Sequence, residues 1–509
     1  MITLDGNNLT LSDLQAIADD AAPVALDARA VAAVDASRAV VDAHASGGAA
    51  VYGINTGFGS LAEVKIAKDA LGALQVNLLR SHAAGVDEFL PSRAVRAMMA
   101  LRANVLAKGY SGIRRATLEH LIAMLNARVH PRVPSRGSVG ASGDLAPLAH
   151  LALVLIGEGD ATVGEDATAL RGGEALARAG LRPIELGAKE GLALINGTQA
   201  SAAVAALALL GAERLARATD LAAALSIDGL RGSFHPFEAR LHLPRPHPGQ
   251  GVSAANLLAL LQNSAINQSH ENCGRVQDAY SMRCAPQVHG AARDAFAYAR
   301  GAITVEANAA TDNPMVFADA DSVGDIVSGG NFHGAPIAIA ADVLALGLVQ
   351  LATISERRSD RLVNPALSGL APFLTRDSGL HSGYMMAQVT AAALASELKS
   401  LAHPASVDTI PTSANREDHV SMSMAAALKA QRALELATRV VAIEILLACQ
   451  ALDLLAPLQT SPALAAVHGR VRREVPTLDA DRPPSPDIET ISQLITSGAL
   501  ERACVIEVK

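Results

Sequence analysis

Apolar residues recur at three- and four-residue spacing through residues 200–225, 336–357, 383–401 and 421–454, and this spacing predicts long helices there. Several of these stretches are apolar nearly all round, as in helices buried inside a large bundle or between subunits. The N-terminal part reads differently. Residues 1 to about 45 read as a short strand followed by two helices, with Leu11-Ser12-Asp13-Leu14 as a helix start. Residues 52–63, YGINTGFGSLAE, hold three glycines and an Asn-Thr pair and predict a loop. Helical patterning then runs to about residue 128, and Pro131 and Pro134 punctuate the approach to residues 137–150, GSVGASGDLAPLAH. The expected fold is mainly α. A smaller, mostly helical N-terminal region (residues 1–200) precedes a long-helix bundle (residues 201–509), with the break drawn where the long helices begin.

Composition narrows this picture. The 509 residues are 50% hydrophobic but only 3% aromatic, with no Trp; the dominance of alanine and leucine favours closely packed helices. A net charge of −8 without a long block of one sign gives no indication of nucleic-acid binding. Cys273, Cys284, Cys449 and Cys504 are widely spaced and form no CxxC pair, which indicates neither a disulfide framework nor a zinc site and fits a reducing cytoplasm. The N-terminus, MITLDGNNLTLSDL, lacks the basic and apolar regions of a signal peptide. A long, largely apolar uncharged run, residues 191–212, contains Asn196, Thr198 and Gln199, whose burial in lipid argues against a membrane span.

Candidate chemistry lies where polar islands interrupt the apolar patterning. In Ala141-Ser142-Gly143 the amide nitrogen of Gly143 can reach the carbonyl carbon of Ala141, a closeness that only glycine allows. Ring closure with loss of two waters turns Ser142 into a methylidene on an imidazolone ring, an electrophile that no standard side chain supplies. On its own, Ser-Gly-Asp before an apolar run is equally a turn and a helix start. The other islands are also double-edged. Tyr52 lies on the glycine-rich loop, and as a base its phenol must be lowered from about 10. His82 reads as a helix-end cap or a ligand-facing imidazole, and Asn196 needs partners if buried. Gln277, Tyr280 and Arg283, at i, i+3 and i+6, can share a face, where Arg283 suits a bidentate grip on a carboxylate or simple exposure. Phe332, in a glycine-rich turn, suits core packing, and residues 412–419, TSANREDH, suit an N-terminal cap.

The segment GSVGASGDLAPLAH closely resembles the signature of the histidine/phenylalanine/tyrosine ammonia-lyases, which build a 5-methylidene-imidazol-4-one (MIO) group from such a tripeptide. The six further islands follow the same family pattern in order, so the resemblance covers nearly the whole chain. It implies an ammonia-lyase-like fold, a homotetramer whose active sites each draw on more than one subunit, and a cofactor made from Ala141-Ser142-Gly143 with no metal or external cofactor. The implied reaction removes ammonia from an α-amino acid and leaves a trans-2,3-unsaturated acid. The resemblance makes Tyr52 the catalytic base and Arg283 the carboxylate clamp. It places Asn196, Gln277 and Tyr280 near the MIO ring and the amine, His82 in the side-chain pocket, and Glu417 facing the site. Asp144 and Phe332 support the MIO segment. Residues 417–422, EDHVSM, are similar to those of members acting on histidine, which favours L-histidine and trans-urocanate; His82 and Glu417 can both hydrogen-bond an imidazole. Ala279, Asn77-Leu78-Leu79-Arg80 and Asn364-Pro365-Ala366-Leu367 look more like the phenylalanine and tyrosine branch, and Arg416 and His381 replace a usual glutamine and asparagine. Tyrosine or phenylalanine is therefore the alternative substrate, with ergothionase and aminomutase activities as related outcomes. A catalytically dead helical scaffold is marked by loss of Ser142 or Tyr52, and both are present.

Overall fold

The computed structural model describes residues 1–47, 50–57, 64–271, 273–319 and 323–509; the predicted loop at 52–63 therefore lies partly outside the described residues. The predicted long helices form as Gln199–Gly229, Ala335–Val363, Met385–Leu401 and Ser423–Leu454. A further long helix, Ala285–Ala307, was not legible from the spacing, because Gly290, Gly301 and several polar residues interrupt its apolar face. In the N-terminal part, the helix Leu11–Asp19 starts at Thr10, which forms a capping box with Asp13. A second strand, Val24–Leu26, pairs in parallel with Ile2–Leu4 between the two expected helices; three residues are too few to show a two-residue period.

The chain forms two compact units. The first comprises Met1–Leu207, Arg300–Ala341 and Pro404–Leu428, and the second Ala208–Ala299, Asp342–His403 and Lys429–Lys509. All the described strands belong to the first unit, in small sheets of two or three strands. Its core includes a cluster of Val40, Val41, Ile54, Leu71, Ala188 and Val316, which fixes the loop that carries Tyr52 through the fully buried Ile54. Gly53 requires its positive φ of 78° there, and a Cβ at this position would meet Leu192 Cδ2 at 2.9 Å.

The second unit combines an aliphatic core with buried charge. Arg358 grips Glu444 through two parallel bonds, Nε to Oε1 at 2.5 Å and Nη2 to Oε2 at 2.9 Å, with both side chains fully buried. Ser226 Oγ donates a third bond to Glu444 at 2.7 Å. Nearby in the same unit, Asp220 accepts from Ser253, Asn256 and Arg293 and pairs with His289. Burial pushes the Asp220 carboxyl up, but Arg293, His289 and Asn256 together hold it at about 2. One described helix, Ala335–Val363, is long and apolar enough to cross a membrane, with mean hydropathy 2.1; its apolar window is 72% buried, as in the core helix of a globular protein.

Removing one partner of the Arg358–Glu444 pair leaves a buried charge uncompensated. Arg358→Leu is expected to destabilise the fold by about 3–5 kcal/mol, read as a lower urea midpoint. Combining it with Glu444→Leu should recover most of the loss, and an unchanged midpoint in the single variant contradicts the pairing.

Candidate active site

The predicted site residues fall into two clusters, one in each unit, and each cluster is described within its own unit. In the first unit the chain from Gly137 to Gly143 is a tight, glycine-rich turn. Ser142 and Gly143 adopt successive left-handed conformations, φ 49° and 77°. For a serine this region is sparsely populated and costs about 1–3 kcal/mol. The turn is gripped on two sides. Asp144 N donates to Gly197 O at 2.7 Å, and a Cβ on Gly143 would lie 2.2 Å from the same oxygen. On the other side, Met422 N donates to Val139 O at 2.8 Å, Ser421 Oγ to Gly140 O at 3.0 Å, and Gly334 N to the same Gly140 carbonyl at 3.2 Å. A Cβ on Gly140 would meet Ser421 Oγ at 2.1 Å and Ser423 Oγ at 2.4 Å.

Asp144 stands immediately before the helix Leu145–Leu155, yet it makes no side-chain cap there. Its carboxylate turns to the first turn of the helix Gln199–Gly229 instead: Oδ2 accepts from Ser201 N at 2.7 Å and Ser201 Oγ at 2.8 Å, while Oδ1 accepts from Ser138 Oγ at 2.7 Å. Asp144 is fully buried; burial raises its carboxyl above the ordinary range, and the bonds from Ser201 and Ser138 pull it partly back.

Asn196 closes the helix Glu190–Ile195 and is 3% exposed. The fully buried Arg102 donates from Nη1 to the Asn196 carbonyl and to Gln199 Oε1, and Gln199 Nε2 donates to Thr311 Oγ1 at 2.8 Å. Burial pulls the Arg102 guanidinium down to about 10. The Asn196 backbone is thus fixed while its Oδ1 is buried without a hydrogen-bond partner among the described residues. A buried amide oxygen left empty is costly and marks a place for a donor. Arg102 and Ser201 were not singled out from sequence; Arg102 shares the helix Ser92–Ala107 with Arg93 and Arg96, which masked it as a signal.

Glu417 and Ser142, 275 residues apart in sequence, meet directly: Ser142 Oγ donates to Glu417 Oε1 at 3.0 Å. Thr412 Oγ1 donates to Glu417 Oε2 at 2.5 Å, and the backbones of the same two residues exchange bonds, Thr412 N to Glu417 O at 3.0 Å and the reverse at 3.4 Å. Residues 412–419 are therefore a closed loop rather than a helix cap; the following helix begins only at Ser423. His82 ends the helix Leu71–His82, where its Nδ1 lies 2.9 Å from Leu78 O. A carbonyl only accepts, so Nδ1 carries the proton and Nε2 presents a lone pair. Burial pulls the His82 imidazole below its ordinary range; the Leu78 bond and the charge on Glu417 act in the opposite direction. Tyr52 is half-buried on its anchored loop, and Phe332 is half-buried two residues before Gly334.

In the second unit, Arg283 Nη2 donates to Gln277 Oε1 at 3.1 Å, and its guanidinium carbon lies 4.7 Å from the Tyr280 ring centroid. The face sharing expected of Gln277, Tyr280 and Arg283 is therefore present, although only Tyr280–Arg283 is helical. No carboxylate among the described residues pairs with Arg283. Gln277 and Arg283 border a cavity of about 770 Å³ that also contains Arg231, His235 and Asn267.

Comparison with known proteins agrees across the chain. A family model described as aromatic amino acid lyase matches residues 9–473. A histidine ammonia-lyase of Anaeromyxobacter dehalogenans (strain 2CP-C) is 58% identical over 507 residues, covering 98% of this chain and 99% of its own. The crystal structure of histidine ammonia-lyase from Trypanosoma cruzi is 44% identical with a TM-score of 0.91, covering 99% of this chain and 94% of that one. A tyrosine aminomutase from Streptomyces globisporus is 37% identical with a TM-score of 0.94 and full coverage of both chains.

The coupling between His82 and Glu417 has a defined sign. The His82 imidazole should titrate below 6.5 in NMR of the histidine-labelled protein. Because the Glu417 charge favours the imidazolium, Glu417→Gln should move that midpoint lower still; a rise on substitution contradicts the arrangement.

Proposed function

The chain belongs to the aromatic amino acid lyase family, and on that premise we propose that it is a histidine ammonia-lyase, eliminating ammonia from L-histidine to leave trans-urocanate. The observation that carries the reading is the strained turn at Ser142, whose hydroxyl is held on Glu417 within one polar cluster. The turn fits the MIO group. Successive left-handed residues bring the backbone around Ala141–Gly143 back on itself, and the empty Asn196 Oδ1 suits a donor at the substrate amine. Formed from Ala141, Ser142 and Gly143, the group supplies an electrophile that makes the substrate amine a better leaving group.

The chain's own residues then divide the work. Arg283, without a carboxylate partner among the described residues and steadied by Gln277, grips the substrate carboxylate and fixes orientation. Tyr52 takes the β-proton from a loop whose base is pinned by Ile54 and Asn55. Asn196, Gln277 and Tyr280 hydrogen-bond the amine or the negative charge that develops nearby. Phe332 packs on the MIO segment, and Asp144, tied to Ser138 and Ser201, holds it in place. The substrate imidazole can donate to His82 Nε2 or to Glu417, whereas a phenyl ring can donate to neither. That asymmetry, with the identity to histidine ammonia-lyases, favours histidine over phenylalanine or tyrosine.

The reading includes a homotetramer in the cytoplasm. Exposed apolar side chains on the helix Met385–Leu401, with Met386 60% exposed and Val389 46%, support assembly, and the four unpaired cysteines suit a reducing compartment.

Incubation of the purified protein with L-histidine should raise ultraviolet absorbance at the urocanate band, with no comparable rise from L-tyrosine or L-phenylalanine. Ser142→Ala should abolish the rise, and Tyr52→Phe should lower kcat by about 10²–10⁴-fold. Cinnamate or coumarate formation in place of urocanate overturns the substrate; a β-amino acid as the main product overturns lyase in favour of mutase.

A further inference from the structure

Two carboxyl groups stand close in sequence or space to Ser142, and they are not equivalent. Asp144, two residues on, is fully buried, and both of its oxygens are occupied by Ser138 and Ser201. Glu417 is half-buried, and its Oε1 lies 3.0 Å from Ser142 Oγ with Ser142 as the donor. The loop around Glu417 is shaped to keep it there. Ser413, Ala414 and Asn415 are successive left-handed residues, φ 49°, 55° and 64°. Such a conformation persists only where surrounding contacts hold it. Those contacts are the reciprocal Thr412–Glu417 backbone bonds, the Thr412 hydroxyl on Oε2, and the links from Ser421 and Met422 to residues 139–140. The carboxylate and the serine hydroxyl are thus held on segments stitched together at both ends.

We propose that Glu417 serves the maturation of the tripeptide as well as turnover, by delivering the proton with which the Ser142 hydroxyl departs as water. This rests on the reading that Ala141-Ser142-Gly143 close into a ring. Closure forms a bond from Gly143 N to the Ala141 carbonyl carbon and releases the Ala141 oxygen as the first water. The Ser142 side chain must then lose hydroxide, a poor leaving group unless protonated. Glu417 begins as a carboxylate and takes the proton from Ser142 Cα, the carbon two bonds from Oγ. The freed electron pair forms the Cα=Cβ bond as the Cβ–Oγ bond breaks. Oγ leaves with that bond's pair, accepts the proton from Glu417 and departs as the second water. Glu417 ends ionised, as it began, and no oxidant or reductant enters.

The test is the intact mass of the full-length protein, which reads maturation independently of turnover. Wild type should be two waters lighter than its sequence. Glu417→Gln keeps the size and hydrogen-bonding reach of the side chain but cannot shuttle a proton; it should stop one water light, with the ring closed and the hydroxyl retained. Glu417→Asp should restore the second loss at a slower rate, and Thr412→Val should slow it in a time course after synthesis. Glu417→Gln two waters light as fully as wild type overturns the proposal. So does Glu417→Gln at full sequence mass, since Glu417 would then serve folding or ring closure instead of the hydroxyl's departure. Wild type at full sequence mass is a different failure, that of the MIO reading itself.

Discussion

The turn through Gly140, Ser142 and Gly143 is the constraint on which the rest of the site depends. Its left-handed backbone is unfavourable for serine, and it persists because it is clamped between Gly197 on one side and residues 421–423 on the other. A Cβ at Gly143 would overlap the Gly197 backbone, which cannot move aside, and one at Gly140 would displace the Ser421 and Ser423 hydroxyls. The strain is local, and the hydrogen bonds from Asp144 N, Met422 N, Ser421 Oγ and Gly334 N offset it. A turn held this way has fewer unproductive conformations to leave before its ends can react, which is the entropic advantage that an intramolecular reaction needs.

Around the turn, polar groups are buried in two distinct ways. Asp144 and Gln199 have partners that fix backbone segments, so their burial organises the site, and Arg102 does the same through Nη1. Asn196 Oδ1 and His82 Nε2, both in the first unit, have unused hydrogen-bonding capacity among the described residues, and the proposed function assigns them to recognition of the substrate. Glu417 belongs to both classes. One carboxylate oxygen is tied to Thr412, and the other accepts from Ser142 Oγ.

The long helices were legible because a sustained three- and four-residue apolar period survives tertiary packing. Ala285–Ala307 was not, because its glycines and polar residues dilute that period. The Ala-Ser-Gly tripeptide was visible as candidate chemistry, since only glycine permits the approach that ring closure needs. The clamp around it was invisible. The contacts from residues 421–423 to 139–140 link segments about 280 positions apart through serines and main-chain groups, which have no distinctive local pattern. Residues 412–419 read as a helix cap because serine and acids often serve that role, but three consecutive left-handed residues turn the segment into a loop that aims Glu417 at Ser142. Ser-Gly-Asp does precede a helix start at Leu145, but the Asp144 side chain bonds to the first turn of a different helix, which its position in sequence could not indicate.

The central claim is that this chain makes its own electrophile at Ser142. Treatment of the folded protein with a small nucleophile such as cyanide, followed by tryptic mapping, tests it most directly, because residues 137–171 fall in one peptide between Arg136 and Arg171. The account predicts a covalent adduct at residue 142, on a peptide that has lost two waters. An unmodified Ser142 in a peptide of full sequence mass, from protein that is active, would contradict it.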